Sequence, residues 1–397
     1  MFIYAHIERI LKNLSSEKIA FSIVENSNES NTWYLYTDLF WHRIATGVIT
    51  KKAVFIGFKN SVTGEVVGNY IRLSSKSKYT KTRLKSILTF YATKIMQNNY
   101  NVPPAPIQEN GNSFFKAVQL KKTRLDSSKN ISGWSCGYLP ASDFNFNTWS
   151  FETFDNMQSL EAEGITYADC FFDLEDENVV LIENAGGYND TAVISSFDIS
   201  DGWHEKDDNV MQSDLHSSYP IMFKYDDAIY GLPNIYANVD EIDFFQKTND
   251  ANWIKSGKVL DVKSKNVQDF TPFEHNGKWY AFGSNASCDV LSLYFAETPF
   301  SEWSEHPSSP IRMGTLGSRP AGNILYVNNK MYRLGQNCTN VYGGSVVVFE
   351  VVDLADYVYK ENFVTEIKLP HPFVAFHTFN IGHEKILFDY RKWKVQK

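Results

Sequence analysis
Long apolar runs are missing from this sequence of 397 residues. None approaches the ~20 residues that a membrane-crossing helix needs, so no transmembrane segment is expected. The opening Met1-Phe-Ile-Tyr-Ala-His-Ile-Glu-Arg9 has neither a basic leader nor a long apolar core, so no secretory signal is expected there. Cysteine is scarce. Cys136, Cys170, Cys288 and Cys338 are the four, and no two of them have Cys-x-x-Cys spacing. Free buried thiols in a reduced, cytoplasmic protein are expected. There is no glycine-rich phosphate loop, no metal-ligand spacing and no Gly-x-Ser-x-Gly elbow. Neither a cofactor nor a metal ion is expected.

Aromatic residues are plentiful at 15%, with 29 Phe and 22 Tyr, and the hydrophobic content of 43% can fill a sizeable core. Aromatic side chains favour strands and also stack on sugar rings. Charge is unevenly spread. Residues 1–105 hold 14 Lys+Arg and 6 Asp+Glu, which leaves 24 basic and 40 acidic residues in the remainder. Two distinct units that attract one another are expected. The acidic remainder argues against nucleic acid as a ligand.

A repeat sets the fold. Trp203, Trp253 and Trp303 recur every 50 residues, each just after a turn. Upstream of each lies a short apolar strand, a charged turn and an aromatic-rich strand. Five such units follow one another, anchored at Asp169, Tyr219, Asp269, Arg319 and His377. Short strands repeating at ~40–50 residues are the mark of propeller blades. The expectation is a mainly β chain, a five-bladed β-propeller over residues 130–397. The fifth unit is too short for four strands, so a missing outer strand must come from upstream. Trp134-Ser-Cys-Gly-Tyr-Leu139 and Phe114–Leu120 are the candidates, and such closure removes free sheet edges.

Residues 1–100 read as a small basic α/β segment. Helical stripes run through Ile7–Leu14 and Leu84–Ile95, and strands are expected at Ile19–Val24 and Ala53–Phe58. Asn101-Val-Pro-Pro-Ala-Pro106 opens a linker that, with a closing strand, occupies 101–129. The basic cluster Lys76, Lys78, Lys81, Arg83 and Lys85 is expected to be a solvated helix face.

Propeller inner strands begin near the central axis, so polar residues there converge on one funnel. Asp169, His216, Tyr219, Asp269, Arg319 and His377 occupy such positions, with Glu183, Gln336 and Asp389 at the rim. Two chemical readings stay open. Asp169 with Asp269 or Glu183 would form the carboxylate pair of glycosyl hydrolysis or transfer. Alternatively, the acids together with Arg319, Arg333 and His377 would make a self-neutralised lining that binds a hydroxyl-rich ligand or holds a phosphate. A plainer alternative is that Asp169 and Asp269 cap blade turns.

The motifs Tyr-Ala-Asp169, His216-Ser-Ser-Tyr219-Pro, Asp269-Phe-Thr, Ser-Arg319-Pro-Ala-Gly322, Tyr-Arg333-x-x-Gln336-x-Cys338, Tyr342-Gly and His377-Thr resemble a known family. It is the N-terminal propeller of plant glucosamine inositolphosphorylceramide transferases and its bacterial relatives. More distantly, the chain resembles the five-bladed glycoside hydrolases of families 43, 32 and 68. The resemblance implies glycoconjugate or surface-polysaccharide biosynthesis, a sugar or nucleotide-sugar-like ligand, and a role for Tyr342 in binding it. In the plant proteins a glycosyltransferase domain follows the propeller. This chain ends after the fifth unit, so the expectation is a module that works with, or docks, a partner glycosyltransferase. Some bacterial relatives carry a formyltransferase-like region before the propeller, which residues 1–100 resemble faintly. Against the hydrolases, Asp169 matches their first catalytic Asp, but the unit at Arg319-Pro-Ala-Gly has no counterpart of their acid Glu.

Overall fold
The computed structural model describes residues 33–43, 49–60, 66–72, 81–96, 131–186, 191–236, 239–262, 267–339 and 341–393. The Ile7–Leu14 stripe, the Ile19–Val24 strand, the Asn101–Pro106 linker, Phe114–Leu120, Lys76 and Lys78 lie outside them.

From residue 131 the chain forms a five-bladed β-propeller, each blade an antiparallel sheet that begins at the axis. Blade 1 runs outward through Thr166–Phe172, Val179–Ala185, Val193–Asp198 and His204–Asp207. Blade 2 uses Ser217–Tyr225, Ala228–Ile235, Glu241–Lys247 and Trp253–Asp261. Blade 3 uses Gln268–His275, Lys278–Ser284, Val290–Ala296 and Ser304–Glu305, with Arg312–Met313 pairing its third strand. Blade 4 uses Leu316–Pro320, Lys330–Asn337, Val346–Ala355 and Val358–Ile367. Blade 5 is composite. Phe379–Ile381 and Lys385–Lys392 pair outward with Ser135–Pro140 and then Gln158–Leu160. Two upstream strands therefore close the ring, rather than the single one expected, and the first comes from the Trp134–Leu139 candidate.

Local chemistry explains the hairpins. Blades 2 and 3 turn between their first two strands on Asp226-Asp227 and Asn276-Gly277, and blade 4 turns from Leu325–Val327 into Lys330–Asn337 on Asn328-Asn329, all at positive φ. Such two-residue turns match the strands' twist and favour Asn, Asp and Gly. The periodic tryptophans mark the way into the outermost strand of blades 1 to 3. Trp203 packs on Phe197 of blade 1 and on Tyr138 of blade 5, so it sits between neighbouring blades. Trp303 is buried against Phe270, and its indole N–H donates to the Pro299 carbonyl at 3.1 Å. Trp253 is half-buried against the core shared by blades 1 to 3.

The N-terminal unit is a three-stranded antiparallel sheet, β1 (Trp33–Arg43), β2 (Ile49–Asn60) and β3 (Val66–Arg72), followed by helix α1 (Lys81–Met96). The expected strand lies inside β2 and the expected stripe on α1, where Leu84, Ile87, Leu88 and Tyr91 are buried. Strands β1 and β3 were not anticipated. The unit seats on the blade 3–blade 4 boundary. Thr315 N–H donates to the Tyr70 carbonyl at 2.7 Å, and Leu316 N–H donates to Asn69 Oδ1 at 3.2 Å. Arg83 pairs with Asp289, so this member of the basic cluster docks on the acidic propeller while Lys85 faces solvent.

Candidate functional site
Every inner strand of blades 1 to 4 breaks register at the same place. The shifts fall at Ala168/Phe171, Ser218/Ile221, Gln268/Thr271 and Leu316/Arg319. Bulges re-aim side chains and accept left-handed residues. Asp169 (φ 47°), Tyr219 (φ 47°), Asp269 (φ 54°) and Gly317 (φ 77°) fill these positions. In blade 4 the left-handed residue is Gly317, two before Arg319, so Arg319 is not the structural equivalent of Asp269 that the spacing suggested. The freed backbone N–H groups are taken up by the neighbouring blade's second strand. Asp389 Oδ2 accepts from Asp169 N–H at 3.0 Å, and Asn234 Oδ1 accepts from Asp269 N–H at 3.2 Å.

Asp389 is fully buried and organises the first half of the site. Its Oδ1 also accepts from the backbone N–H groups of His377 and Thr378, each at 2.9 Å. Its Oδ2 lies 2.5 Å from His377 Nδ1. The His377 ring stacks on Trp134 with centroids 3.8 Å apart and meets the edge of Tyr342 at 5.2 Å. Gly343 (φ 60°) allows this closeness, because a Cβ there would lie 2.5 Å from that of His377. Asp169 Oδ1 accepts from Thr378 Oγ1 at 2.8 Å and lies 3.8 Å from His377 Nδ1. Burial pulls the His377 pKa down, but Asp389 and Asp169 outweigh it and raise it to about 9. Burial pushes the Asp169 carboxyl up to about 8, against the pull of His377 and with the nearby charges of Glu183, Asp269 and Asp389. At neutral pH Asp169 is a protonated acid beside an imidazolium, able both to donate and to accept a hydrogen bond.

The second half is the pair Arg319–Asp269. Arg319 Nε donates to Asp269 Oδ2 at 2.5 Å and Nη2 to Oδ1 at 3.0 Å, a bidentate fork. The Arg319 guanidinium also lies 5.4 Å from the Tyr342 ring and reaches Cys288 Sγ at 3.5 Å, so Tyr342 joins the two halves. Contact with Cys338 holds the Cys288 thiol down at about 6, against its burial and with help from Arg319. All four cysteines are free and buried.

The remaining candidates divide. Glu183 Oε1 lies 3.3 Å from His216 Nε2, in a half-exposed pair on the blade 1–blade 2 side. Tyr219 is buried, and its hydroxyl meets Thr271 Oγ1 and the Gly322 backbone, each at 3.1 Å. Gln336 donates to the Pro320 carbonyl at 2.9 Å. Arg333 is engaged away from the cluster, donating to Glu361 and to the Gly317 carbonyl. The side chains of Asp169, His377 and Asp389 offer ligand atoms within 4.8 Å of one another. A metal held there would displace the His377 proton, because imidazole binds metal in its neutral form.

A family model, described as glucosamine inositolphosphorylceramide transferase 1, N-terminal, matches residues 167–379, more than half of the chain. The chain belongs to this family. Two relatives, both glucosamine inositolphosphorylceramide transferase 1, are 28% identical over 155 residues in Oryza sativa subsp. japonica and 26% over 154 in Arabidopsis thaliana. Each match covers 37% of this chain, and the chain spans about a fifth (20%) of the length of these curated relatives. Among solved structures, it is similar to an exo-β-1,3-galactanase from Clostridium thermocellum (12% identity, 57% of this chain and 59% of that chain, TM-score 0.41). It is also similar to a family 32 β-fructofuranosidase from Bombyx mori (14%, 58% and 56%, TM-score 0.42).

The region matched by the glucosamine inositolphosphorylceramide transferase N-terminal family contains every candidate site residue singled out from the sequence except Asp389. Trp134 and Asp389, which hold His377 from either side, lie outside it. Asp389 had been placed at the rim and Trp134 only in a closing strand. Their place at the centre follows from ring closure, which sets blade 5 against blade 1. Asn234 and Thr378 were not singled out; the one signal was Thr378 adjoining His377.

Proposed function
We propose that this propeller is a glycan-recognition domain serving glycoconjugate or surface-polysaccharide biosynthesis, with its axial cluster as the site for the sugar part of the ligand. The observation that carries the reading is the bidentate Arg319–Asp269 pair. It ties up the acid that would otherwise partner Asp169 as a second carboxylate, and it also occupies a guanidinium that would otherwise hold a phosphate. Arg333 is likewise spent on Glu361. What remains is a set of neutral or self-compensated groups: the protonated Asp169, the His377–Asp389 pair, and the aromatic rings of Trp134 and Tyr342. Such a set suits hydroxyl groups and ring faces. The names of the family and of its plant relatives, glucosamine inositolphosphorylceramide transferase, agree with a sugar-bearing ligand and with a glycosyltransferase working alongside.

A second reading rests on the raised pKa of Asp169. A carboxyl that is still protonated at neutral pH can serve as a general acid in glycosyl transfer or hydrolysis, with Glu183 as its nearby carboxylate. One experiment separates the two. The full chain is melted with monosaccharides, disaccharides and nucleotide sugars, and assayed for glycosyl release or transfer. Binding raises the melting temperature. A sugar-dependent shift without turnover is the expected result. Turnover by the wild type that disappears in Asp169→Asn while the shift remains would overturn the binder in favour of the enzyme.

A further inference from the structure
From the rim inward, exposure falls step by step along one line of side chains. Tyr236 is 65% exposed. The side chains of His216 and Glu183 are 34% and 14% exposed, those of Asp169 and His377 6% and 3%. Each step is a neighbour of the next. The Tyr236 and His216 rings lie 6.2 Å apart, and Tyr236 N–H donates to the His216 carbonyl at 3.0 Å. His216 Nδ1 accepts from Ala192 N–H at 3.2 Å, so the ring's proton sits on Nε2 and points at Glu183, 3.3 Å away. Glu183 is in register with Ala168, the residue before Asp169. An exposed tyrosine alone is ordinary. This one stands at the open end of a polar track that leads to the buried cluster, with an oriented imidazole–carboxylate pair at its side.

We propose that Tyr236, with the His216–Glu183 pair beside it, forms an outer sugar subsite of the axial site. The ligand class is then a glycan or glycoside at least two rings long, one ring for Tyr236 and one for the groups around Asp169. The outer ring lies with its C–H face on the Tyr236 ring, and its hydroxyls reach the carboxylate of Glu183, which only accepts. The inner ring takes the groups around Asp169 and His377. The inference rests on the glycan-recognition reading, and the test keeps the two apart.

The test is isothermal titration of the full chain, Tyr236→Ala and Tyr236→Phe with the methyl glycosides of glucosamine, galactose and mannose and with the matching β-linked disaccharides. The wild type is expected to bind at least one disaccharide about three- to tenfold more tightly than its monosaccharide. Tyr236→Ala is expected to erase that preference without changing monosaccharide affinity or the melting temperature, and Tyr236→Phe to keep it. A wild type that binds these sugars with no preference for length, or a Tyr236→Ala that keeps the preference, overturns the outer subsite and leaves the glycan reading standing. A wild type that binds none of the six overturns both.

Discussion

Glu361 and Asp169 are both buried carboxyl groups in a ring of donors and charges, yet their surroundings drive them in opposite directions. Glu361, on the outermost strand of blade 4, receives Arg312 through Nε (2.9 Å) and Nη2 (2.5 Å), Arg333 through Nε (2.8 Å) and Nη2 (2.9 Å), and the Tyr359 hydroxyl (2.6 Å). Although burial opposes ionisation, the two guanidiniums hold its pKa down at about 2. Among the described residues, Asp169 has one side-chain donor in hydrogen-bond range, Thr378, and burial takes it up to about 8. A cluster that fastens blade 3 to blade 4 saturates its acid. The axial cluster leaves its acid under-served, in the chemical state that a hydroxyl-bearing ligand can complete.

The strongest way to break this contrast is Glu361→Gln, which strands two buried guanidiniums. A loss of about 3–5 kcal/mol is expected in a denaturant melt. A loss near zero would mean that the pairs are solvated and that the contrast is empty. Next comes Asp389→Asn. The amide replaces an acceptor of three backbone N–H groups and of His377, so a loss of roughly 1.5–3 kcal/mol is expected, with a lowered His377 pKa readable by NMR titration. Asp169→Asn should behave differently, since it swaps a protonated carboxyl for an amide of the same shape. Stability should change by less than about 0.5 kcal/mol, while sugar affinity falls about two- to tenfold, the loss of a neutral hydrogen bond.

The test that sharpens the comparison most is its sign with pH. The folded pKa of Asp169 is raised from 3.8 to about 8 and that of His377 from 6.5 to about 9. The folded state therefore binds more protons than the unfolded one, and the axial cluster loses stability as pH climbs from about 4 towards 9. Glu361 is lowered from 4.5 to about 2, so its contribution is present above 4.5 and lost as pH falls through about 2. Chemical melts from pH 3 to 10 should show an alkaline decline that His377→Gln reduces. An alkaline decline that His377→Gln leaves unchanged would remove the imidazolium from the account.

Much of the fold was legible because the blades repeat hairpin chemistry at a fixed spacing. Asp226-Asp227, Asn276-Gly277 and Asn328-Asn329 announce their turns by composition, and the tryptophans mark the outermost strands. Bulge geometry was not legible. An offset of two residues between Gly317 and Arg319 leaves the period intact but changes which atom faces the axis. The site was half legible. Asp169, Asp269, Arg319 and His377 stand out as polar residues at apolar strands, but pairing is a property of the closed ring. Nothing in the sequence joins Arg319 to Asp269 rather than to a ligand, Arg333 to Glu361 rather than to the funnel, or Asp389 to residues on two different blades.

Ring closure has a further consequence for biosynthesis. The Arg391 side chain reaches back to the Ser132 carbonyl across 259 residues of sequence, and Lys385–Tyr390 zips onto Ser135–Pro140. On a ribosome adding ~5–20 residues per second, the upstream strands wait roughly 13–50 s for their partner. Through that interval the Ser135–Pro140 strand shows a bare backbone edge to any other chain nearby. Trp134 and Asp389 come to flank His377 only when the wait ends, so the axial site cannot form before blade 5 closes.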